Sequence, residues 1–388
     1  MKANVRAAMA LGLAIASTAS LAACSTSLSL STQSRQPPQA SQASSGAGAA
    51  VPSPAPVPIR TSPLTGLPEL KARPVLVVKL DNTRNAQPHA GLTDADLVYI
   101  EEVEYGITRI AAVFSSTIPK RIGPVRSARI TDIDLLAQYG SPAFAFSGAQ
   151  HKLWPALAAA PFIDISPNHG AQSYARDFSR RAPYNYFLNG LMGLHRAPDA
   201  TADHGMGFVF AEEPPAGGTP IARASMAWGY ASAAFTYDPA DGLFRVRLNG
   251  ERARAEEHDR GQNASTVIIQ YVRQRPSAYY DKGGGNTPHA DTIGAGTALV
   301  LRDGQSWDVR WSRPDADSGT TFTMADGSPM PFKPGQQWIV LLDRERTVTI
   351  ATPPANVTAP PSATPPTAAP LGSTPLPAPT ASQSPTRG

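Results

Sequence analysis

Cysteine is almost absent from this chain, since Cys24 is the single cysteine among 388 residues. One cysteine excludes a disulfide framework and a cysteine-rich zinc site. Charge is also sparse: charged residues make up 16% of the chain, and the formal net charge is +4. Without a clustered basic stretch, the chain lacks the electrostatic footprint of a nucleic-acid-binding protein. No heptad or Gly-X-Y period is sustained, which excludes a long coiled coil and collagen.

Proline and glycine, in contrast, are abundant. The chain has 39 Pro and 31 Gly, together 70 of 388 residues or about 18%, where average usage gives about 12%. This excess excludes one uniformly compact domain. It predicts disordered stretches beside a folded core.

Residues 1–23 are typical of a lipoprotein signal peptide. Lys2 and Arg6 form a basic start, and residues 7–20 form an apolar run that is short for a bilayer span of about 20 residues. Leu-Ala-Ala-Cys24 then resembles a bacterial lipobox, in which the cysteine is acylated. A plain signal peptide with an incidental cysteine is the alternative. Because the only cysteine occupies the position that lipidation needs, we expect a palmitate-type anchor at the extracytoplasmic face of the cell membrane.

Residues 24–60 and 351–388 are predicted to be a disordered linker and a disordered tail. The linker carries Arg35 as its only charge before Arg60, and the tail holds 11 Pro among 38 residues. Stretches with so little apolar surface cannot offset the entropy lost on ordering. The linker would act as a tether between the membrane and the folded core.

Residues 61–215 favour an α/β N-terminal domain, with a mixed sheet and helices. Apolar runs over 74–81, 97–103 and 107–114 predict buried strands, and the spacing of apolar residues over 130–139 predicts a helix. Strand and helix patterns that alternate in this way are typical of α/β folds.

Residues 222–348 favour a mainly antiparallel β C-terminal domain. Alternating runs are separated there by Asn249-Gly250, Asp303-Gly304 and Asp326-Gly327, which are strong hairpin signals. A stretch dense in proline and glycine over 211–220 separates the two predicted domains.

Several phrases along this core resemble the YerB-type bacterial lipoproteins, a family defined by a domain of unknown function. In chain order they lie at 62–68, 74–82, 94–102, 106–109, 122–129, 181–185, 294–299 and 334–339. The phrase Gly-Pro-Val-Arg-Ser-Ala-Arg over 123–129 is the most distinctive. The resemblance implies an N-terminal α/β module, a C-terminal β module and a lipid anchor, and it implies no established reaction.

Charged residues gather where the predicted strands end. Asp81 closes one strand, Glu102 and Glu104 are expected on one face at the end of the next, and Arg109 lies on the third. In α/β sheets, ligands bind beyond the carboxyl ends of the strands. Asp81 and Glu102 are therefore candidate catalytic residues.

The loop before the predicted helix adds Arg126, Ser127 and Arg129. A helix N-terminus with nearby guanidinium groups suits a phosphate or a carboxylate. One interpretation is an anion pocket that these residues form with Arg109. The other is a structural ion network, in which buried arginines pair with carboxylates such as Asp132 to fix the loop.

The loop over 168–185 is long, polar and aromatic. Loops of this kind are often functional, and this one would place Arg181 and Asn185 against the anion pocket. An ordinary connection that packs its aromatic side chains onto the sheet is the alternative.

The sequence thus predicts an envelope lipoprotein without a metal or another cofactor. It would bind an anionic small molecule, an envelope polymer or a protein partner through its N-terminal domain. The alternative is a hydrolase or transferase that acts on envelope phosphates or glycans, with Asp81 and Glu102 as acid and base. No Gly-X-Ser-X-Gly or His-Glu-X-X-His motif is present, so whether the chain is an enzyme stays open.

Overall fold

The computed structural model describes residues 59–354. The predicted signal peptide, Cys24, the linker before residue 59 and the tail from residue 355 lie outside the described residues. None of the helices within this part of the chain is both long and apolar enough to cross a membrane.

The described residues contain three short α-helices. They are α1 (Ile130–Ala137), α2 (Trp154–Ala159) and α3 (Gly190–His195). The carboxylate of Asp132 closes the start of α1, because its Oδ2 accepts the backbone N–H of Arg129 at 2.6 Å. A negative charge in the first turn also complements the helix dipole.

Strands make up most of the remaining regular structure. In chain order they are β1 (Arg60–Thr61), β2 (Pro68–Glu69), β3 (Leu76–Asp81), β4 (Leu97–Glu102), β5 (Thr108–Phe114), β6 (Ala143–Ala145), β7 (Ile163–Asp164), β8 (Tyr174–Arg176), β9 (Tyr186–Leu188), β10 (Val209–Phe210), β11 (Thr219–Pro220), β12 (Arg223–Ala227), β13 (Ser232–Asp238), β14 (Leu243–Leu248), β15 (Glu251–Arg252), β16 (Asn263–Ala264), β17 (Thr266–Val272), β18 (Gln274–Tyr280), β19 (Asn286–Ala290), β20 (Gly294–Arg302), β21 (Gln305–Arg313), β22 (Thr321–Thr323), β23 (Pro331–Phe332), β24 (Gln337–Asp343) and β25 (Thr349–Ala351).

The predicted fold class is confirmed: a mixed sheet with few helices precedes a mainly antiparallel β region. Two of the predicted hairpins have turns with positive φ at both central residues, as primed turns require. Asn249 and Gly250 (φ 54° and 80°) join β14 to β15, and Asp303 and Gly304 (φ 49° and 70°) join β20 to β21.

The largest sheet crosses the boundary between residues 61–215 and 222–348. Its strand order is β11-β21-β20-β17-β24-β4-β5-β3-β6-β7, with β22 beside β21. Strand β24, from late in the chain, runs parallel to both of its neighbours, β17 and β4. The two stretches that the sequence divides are therefore joined edge to edge by backbone hydrogen bonds.

Both faces of this sheet are covered, which explains why β3, β4 and β5 are almost continuously apolar. Side chains such as Leu80 and Ile100 on one face share a core with Phe235 and Val246 of the smaller sheet, β15-β14-β13-β12-β25, with β16 beside β14. On the opposite face, side chains such as Val77 share a second core with α1 and α2. Asp81, Glu101 and Arg109, at the ends of β3, β4 and β5, lie on the same face as this second core.

Candidate functional site

The candidate site begins with three charged residues that lie side by side on neighbouring strands. Asp81 of β3 stands opposite Arg109 of β5, and Arg109 stands opposite Glu101 of β4. Directly paired residues project to the same face, so all three side chains lie on the face that carries α1. All three are buried.

Asp81 is the centre of this group. Its Oδ2 lies 3.1 Å from Arg109 Nη1 and 2.5 Å from Arg126 Nε. Its Oδ1 accepts the backbone N–H and the hydroxyl of Thr83, at 2.7 and 2.5 Å. Burial on its own raises the pKa of Asp81, but the two guanidinium groups and Thr83 outweigh it, so the pKa lies below its ordinary value. Asp81 is therefore a fixed anion rather than a proton donor at neutral pH.

Arg126 reaches Asp81 because its loop runs beside β3. The backbone N–H of Arg126 donates to the carbonyl of Lys79 at 2.8 Å, and Asp81 donates its N–H to the carbonyl of Pro124 at 3.0 Å. These bonds hold the loop over 122–128 like an extra strand and aim the guanidinium at the sheet.

The outer side of Arg126 faces solvent. Its side chain is 24% exposed, and within residues 59–354 its guanidinium forms a salt bridge through Nε, which leaves Nη1 and Nη2 without a carboxylate partner. The ring of Tyr184 lies 5.9 Å from its Cζ. Tyr184 also lines a shallow cavity of about 330 Å³ together with Arg180 and Arg181. Arg180 donates from Nη1 and Nη2 to the carbonyls of Pro88 and Ala86, at 3.0 and 2.7 Å. The open rim beside Tyr184 is therefore formed by Arg126 and by the exposed Arg181.

Arg129, in contrast, is fully engaged by protein groups. Its Nε lies 2.7 Å from Glu104 Oε1, and its Nη2 donates to Glu104 Oε2 at 2.8 Å. Its Nη1 donates to the carbonyl of Ala128 at 3.1 Å, and Glu104 also accepts the hydroxyl of Thr287, from the second half of the chain. For Arg129, the ion-network interpretation describes the structure better than a ligand clamp.

A second charged group lies on the same face of the sheet, two residues before Asp81 on β3. Lys79 of β3 is fully buried, and its Nζ lies 2.7 Å from Glu101 Oε1 and 2.6 Å from Asp132 Oδ1. Together with the group around Asp81, it makes a network in which four basic side chains face four acidic side chains. These are Lys79, Arg109, Arg126 and Arg129, and Asp81, Glu101, Glu104 and Asp132.

The structure does not bring Asp81 and Glu102 together. Glu102 stands opposite Thr108, on the other face of the sheet, and its Oε1 lies 2.6 Å from Arg346 Nη2. The expectation that Glu102 and Glu104 share a face is also wrong. Strand β4 ends at Glu102, so the alternation of faces does not extend to Glu104, which lies in the turn Glu104–Gly106 and pairs with Arg129. An acid–base pair of Asp81 and Glu102 cannot act on one substrate.

The remaining predicted residues have mixed positions. Ser127 is half-buried beside Arg126, and Arg181 is exposed at the rim. Asn185 is buried, and its side-chain oxygen accepts Arg176 Nη1 at 3.0 Å, so its amide supports the loop.

Sequence reasoning missed several members of the site. Lys79 carried a visible signal, a single charge within an apolar strand, whereas Thr287 lies 183 residues from its partner Glu104 and carried none. His89 is fully buried, and its Nε2 lies 2.7 Å from the carbonyl oxygen of Asp81. Burial lowers the pKa of His89, so its ring is neutral at neutral pH.

No group of three or more metal-ligating side chains is gathered to hold an ion within the described part of the chain. The site is thus built from guanidinium groups and carboxylates. Its accessible groups are cationic, which suits an anion rather than a metal.

Comparison with protein families gives two matches. A model described as "Protein of unknown function (DUF3048) N-terminal domain" matches residues 64–202, and a model of the corresponding C-terminal domain matches residues 224–339. Together they cover 255 residues, about two thirds of the chain.

Two comparisons with individual proteins point the same way. The chain is 46% identical over 72 residues to "Putative lipoprotein YerB" of Bacillus subtilis, a match that spans 18% of this chain and 22% of that protein. A crystal structure of the YerB protein from Bacillus subtilis is similar with a TM-score of 0.62 and 20% identity, covering 75% of this chain and 99% of the other. At that identity the second likeness shows a shared fold.

Proposed function

Because this chain belongs to the DUF3048 family, we propose that it is a lipid-anchored protein of the bacterial envelope that binds an anionic ligand at the rim formed by Arg126. The name of the Bacillus subtilis relative supports the anchor, as does the lipobox-like sequence that ends in Cys24. The anchor would hold the folded core at the extracytoplasmic face of the cell membrane.

The half-engaged guanidinium of Arg126 is the observation that carries the ligand proposal. One of its edges is fixed by Asp81, and the other is open beside Tyr184. A guanidinium that is already oriented loses little side-chain freedom when it binds, and its two free nitrogens match two oxygens of a phosphate or a carboxylate. Arg109 supports this arrangement by balancing Asp81 from the other side.

The geometry favours one anionic group on a small molecule or an envelope polymer. The exposed Arg181 lies at the same rim, so a chain of repeating phosphates or carboxylates could contact Arg181 as well as Arg126. The alternative hydrolase or transferase is not proposed, because Asp81 and Glu102 lie on opposite faces of the sheet.

Replacing Arg126 with alanine tests the ligand site. We expect inorganic phosphate, a sugar phosphate or a polyanionic wall fragment to raise the Tm of the full chain in detergent. A ligand at a hundred times its Kd stabilises the native state by about 2.7 kcal/mol. The Arg126→Ala variant should lose this stabilisation, because it loses the partly exposed guanidinium that Asp81 orients.

Arg310→Ala is the matched control, because Arg310 is an exposed arginine on β21. It should keep the full ligand-induced rise in Tm. An equal rise in both variants would show that the anion binds elsewhere. No rise with any anion would favour a protein partner, which cross-linking on cells would then detect.

The anchor proposal predicts that Cys24→Ser releases the protein from the membrane. Two acyl chains give stable anchoring, and their attachment requires the thiol. Cells that express the chain should incorporate labelled palmitate into the wild-type protein and into Ser25→Ala, but not into Cys24→Ser. A Cys24→Ser protein that stays in the membrane fraction would contradict the proposed anchor.

A further inference from the structure

Lys79 is the most deeply buried cation of the network. Its side chain is fully buried in β3, between a carboxylate on the strand β4 and a carboxylate on the helix α1. Nζ donates to Asp132 Oδ1 at 2.6 Å, and Glu101 Oε1 lies 2.7 Å from the same nitrogen. Both carboxyl side chains are also buried, at 1% exposure or less. An amine and two carboxyl groups thus meet in a dry pocket.

The surroundings of this pocket are largely apolar. In the strand register, Lys79 stands opposite Ala111, which stands opposite Tyr99, and both belong to the apolar core under α1. Burial, with the added effect of the Asp132 charge, raises the pKa of Glu101 to about 7, against the opposing effect of Lys79. Glu101 therefore keeps its proton up to about neutral pH. The hydrogen bond from Lys79 Nζ to Asp132 Oδ1 is the path along which one proton would pass, leaving an amine beside a carboxylic acid.

We propose that Lys79 and Asp132 become joined by an intramolecular isopeptide bond, with Glu101 as the proton carrier. The lone pair of the neutral Lys79 Nζ attacks Cγ of the protonated Asp132 carboxyl. Glu101 takes one proton from Nζ and gives its own proton to the departing Oδ1. A C–N bond forms, the Cγ–Oδ1 bond breaks and one water leaves. Glu101 ends in the protonation state in which it began, and no oxidant or co-reactant is consumed.

The two carboxyl oxygens of Asp132 have different neighbours, so they would have different roles in the reaction. Oδ1 is the oxygen beside the amine and the one that would leave. Oδ2 accepts the backbone N–H of Arg129 at 2.6 Å. This N–H would stabilise the negative charge that develops on Oδ2 in the tetrahedral intermediate, and it would remain bonded to the amide oxygen of the product.

Confinement supplies the driving force that an amine and an acid lack in water. Groups held in contact by a folded structure react as if at effective concentrations of about 10⁵–10⁸ M. The pocket also excludes the water that would reverse the reaction. The product would tie β3 to α1 across a separation of 53 residues.

A tryptic digest tests this proposal. The full chain is purified in its folded state, then denatured and digested with trypsin. An isopeptide at Lys79 blocks cleavage there, so residues 72–84 should appear joined to residues 130–152. The mass of the joined peptide should equal the sum of the two peptides minus one water. Fragmentation should place the link at Lys79 and Asp132.

A second lysine–aspartate pair serves as the internal control. Lys333 Nζ lies 2.7 Å from Asp303 Oδ1, but both side chains are about one fifth exposed. Peptides 303–310 and 311–344 should therefore appear unjoined. In Glu101→Gln, a protein with an unchanged circular dichroism spectrum should yield the cleaved peptides 72–79 and 130–152.

Two results would overturn the proposal. One is a wild-type digest that contains only the separate peptides 72–79, 80–84 and 130–152, even after long incubation of the folded protein. The other, against the role of Glu101, is a Glu101→Gln variant that cross-links as fully as the wild type. The wild-type digest decides the main point even if the variant does not fold.

Discussion

Replacing Asp81 with alanine is expected to lower the free energy of unfolding by about 3–5 kcal/mol. The substitution removes the carboxylate that neutralises Arg109, which is 4% exposed. A buried guanidinium without its partner keeps the full cost of its desolvation. Arg126 and Thr83 would lose their contacts to the same carboxylate. Urea unfolding followed by circular dichroism measures the difference.

The exposed pair of Arg84 and Glu251 supplies the control. Its Nε–Oε1 distance is 3.1 Å, similar to that between Arg109 and Asp81, but both side chains are largely open to solvent. Glu251→Ala should therefore cost less than about 1 kcal/mol. If Asp81→Ala were as mild as Glu251→Ala, Arg109 would have an adequate second partner, and Asp81 would not be the centre of the site.

The same contacts determine how the contribution of Asp81 to stability changes as the pH falls. The folded-state pKa of Asp81 lies below its ordinary value of 3.8, because the two arginines and Thr83 outweigh burial. A group with a lowered pKa contributes stability above its unfolded-state pKa, and that stability is lost as the pH falls towards the folded-state value. The stability difference between wild type and Asp81→Ala should therefore shrink as the pH falls below about 4.

Part of this arrangement could be predicted from the sequence. Asp81 ends the apolar run over 74–81, and Arg109 lies in the apolar run over 107–114. The loop with Arg126 leads directly into the predicted helix. The pattern places all three residues at boundaries between strands and loops. The antiparallel pairing of β3 with β5, which sets the start of β5 beside the end of β3, is seen only in the structure. The hairpin turns at Asn249-Gly250 and Asp303-Gly304 were predictable, since few other residues accept a positive φ.

Other features could not be predicted, because they depend on contacts distant in sequence or on local backbone geometry. Alternation along a strand assigns Glu104 to one face only while the strand continues, and here the strand ends at Glu102. The partner of Glu102 is Arg346, 244 residues away. The position of β24 between β17 and β4 likewise could not be predicted from the sequences of these strands, because all three are mainly apolar.

The shared sheet predicts that neither residues 59–215 nor residues 216–354 fold alone. Strand β24 pairs with β4 from Gln337 opposite Leu97 to Leu341 opposite Glu101, so cutting the chain exposes an apolar edge on both fragments. Both cores also contain side chains from each fragment, such as Ile100 and Phe235 in one core. We expect each fragment, expressed alone, to aggregate and to show no cooperative unfolding transition.

The two fragments expressed together supply the control for chain cleavage itself. They should form a soluble complex, because the cut at 215–216 falls in a connection outside the helices and strands and leaves every pairing of β24 available. The uncut protein should unfold in a single transition, seen alike by tryptophan fluorescence and by circular dichroism. Cooperative unfolding of residues 59–215 alone would contradict this prediction. It would mean that β4 tolerates an open edge and that the charged network around Asp81 forms without Thr287 or β24.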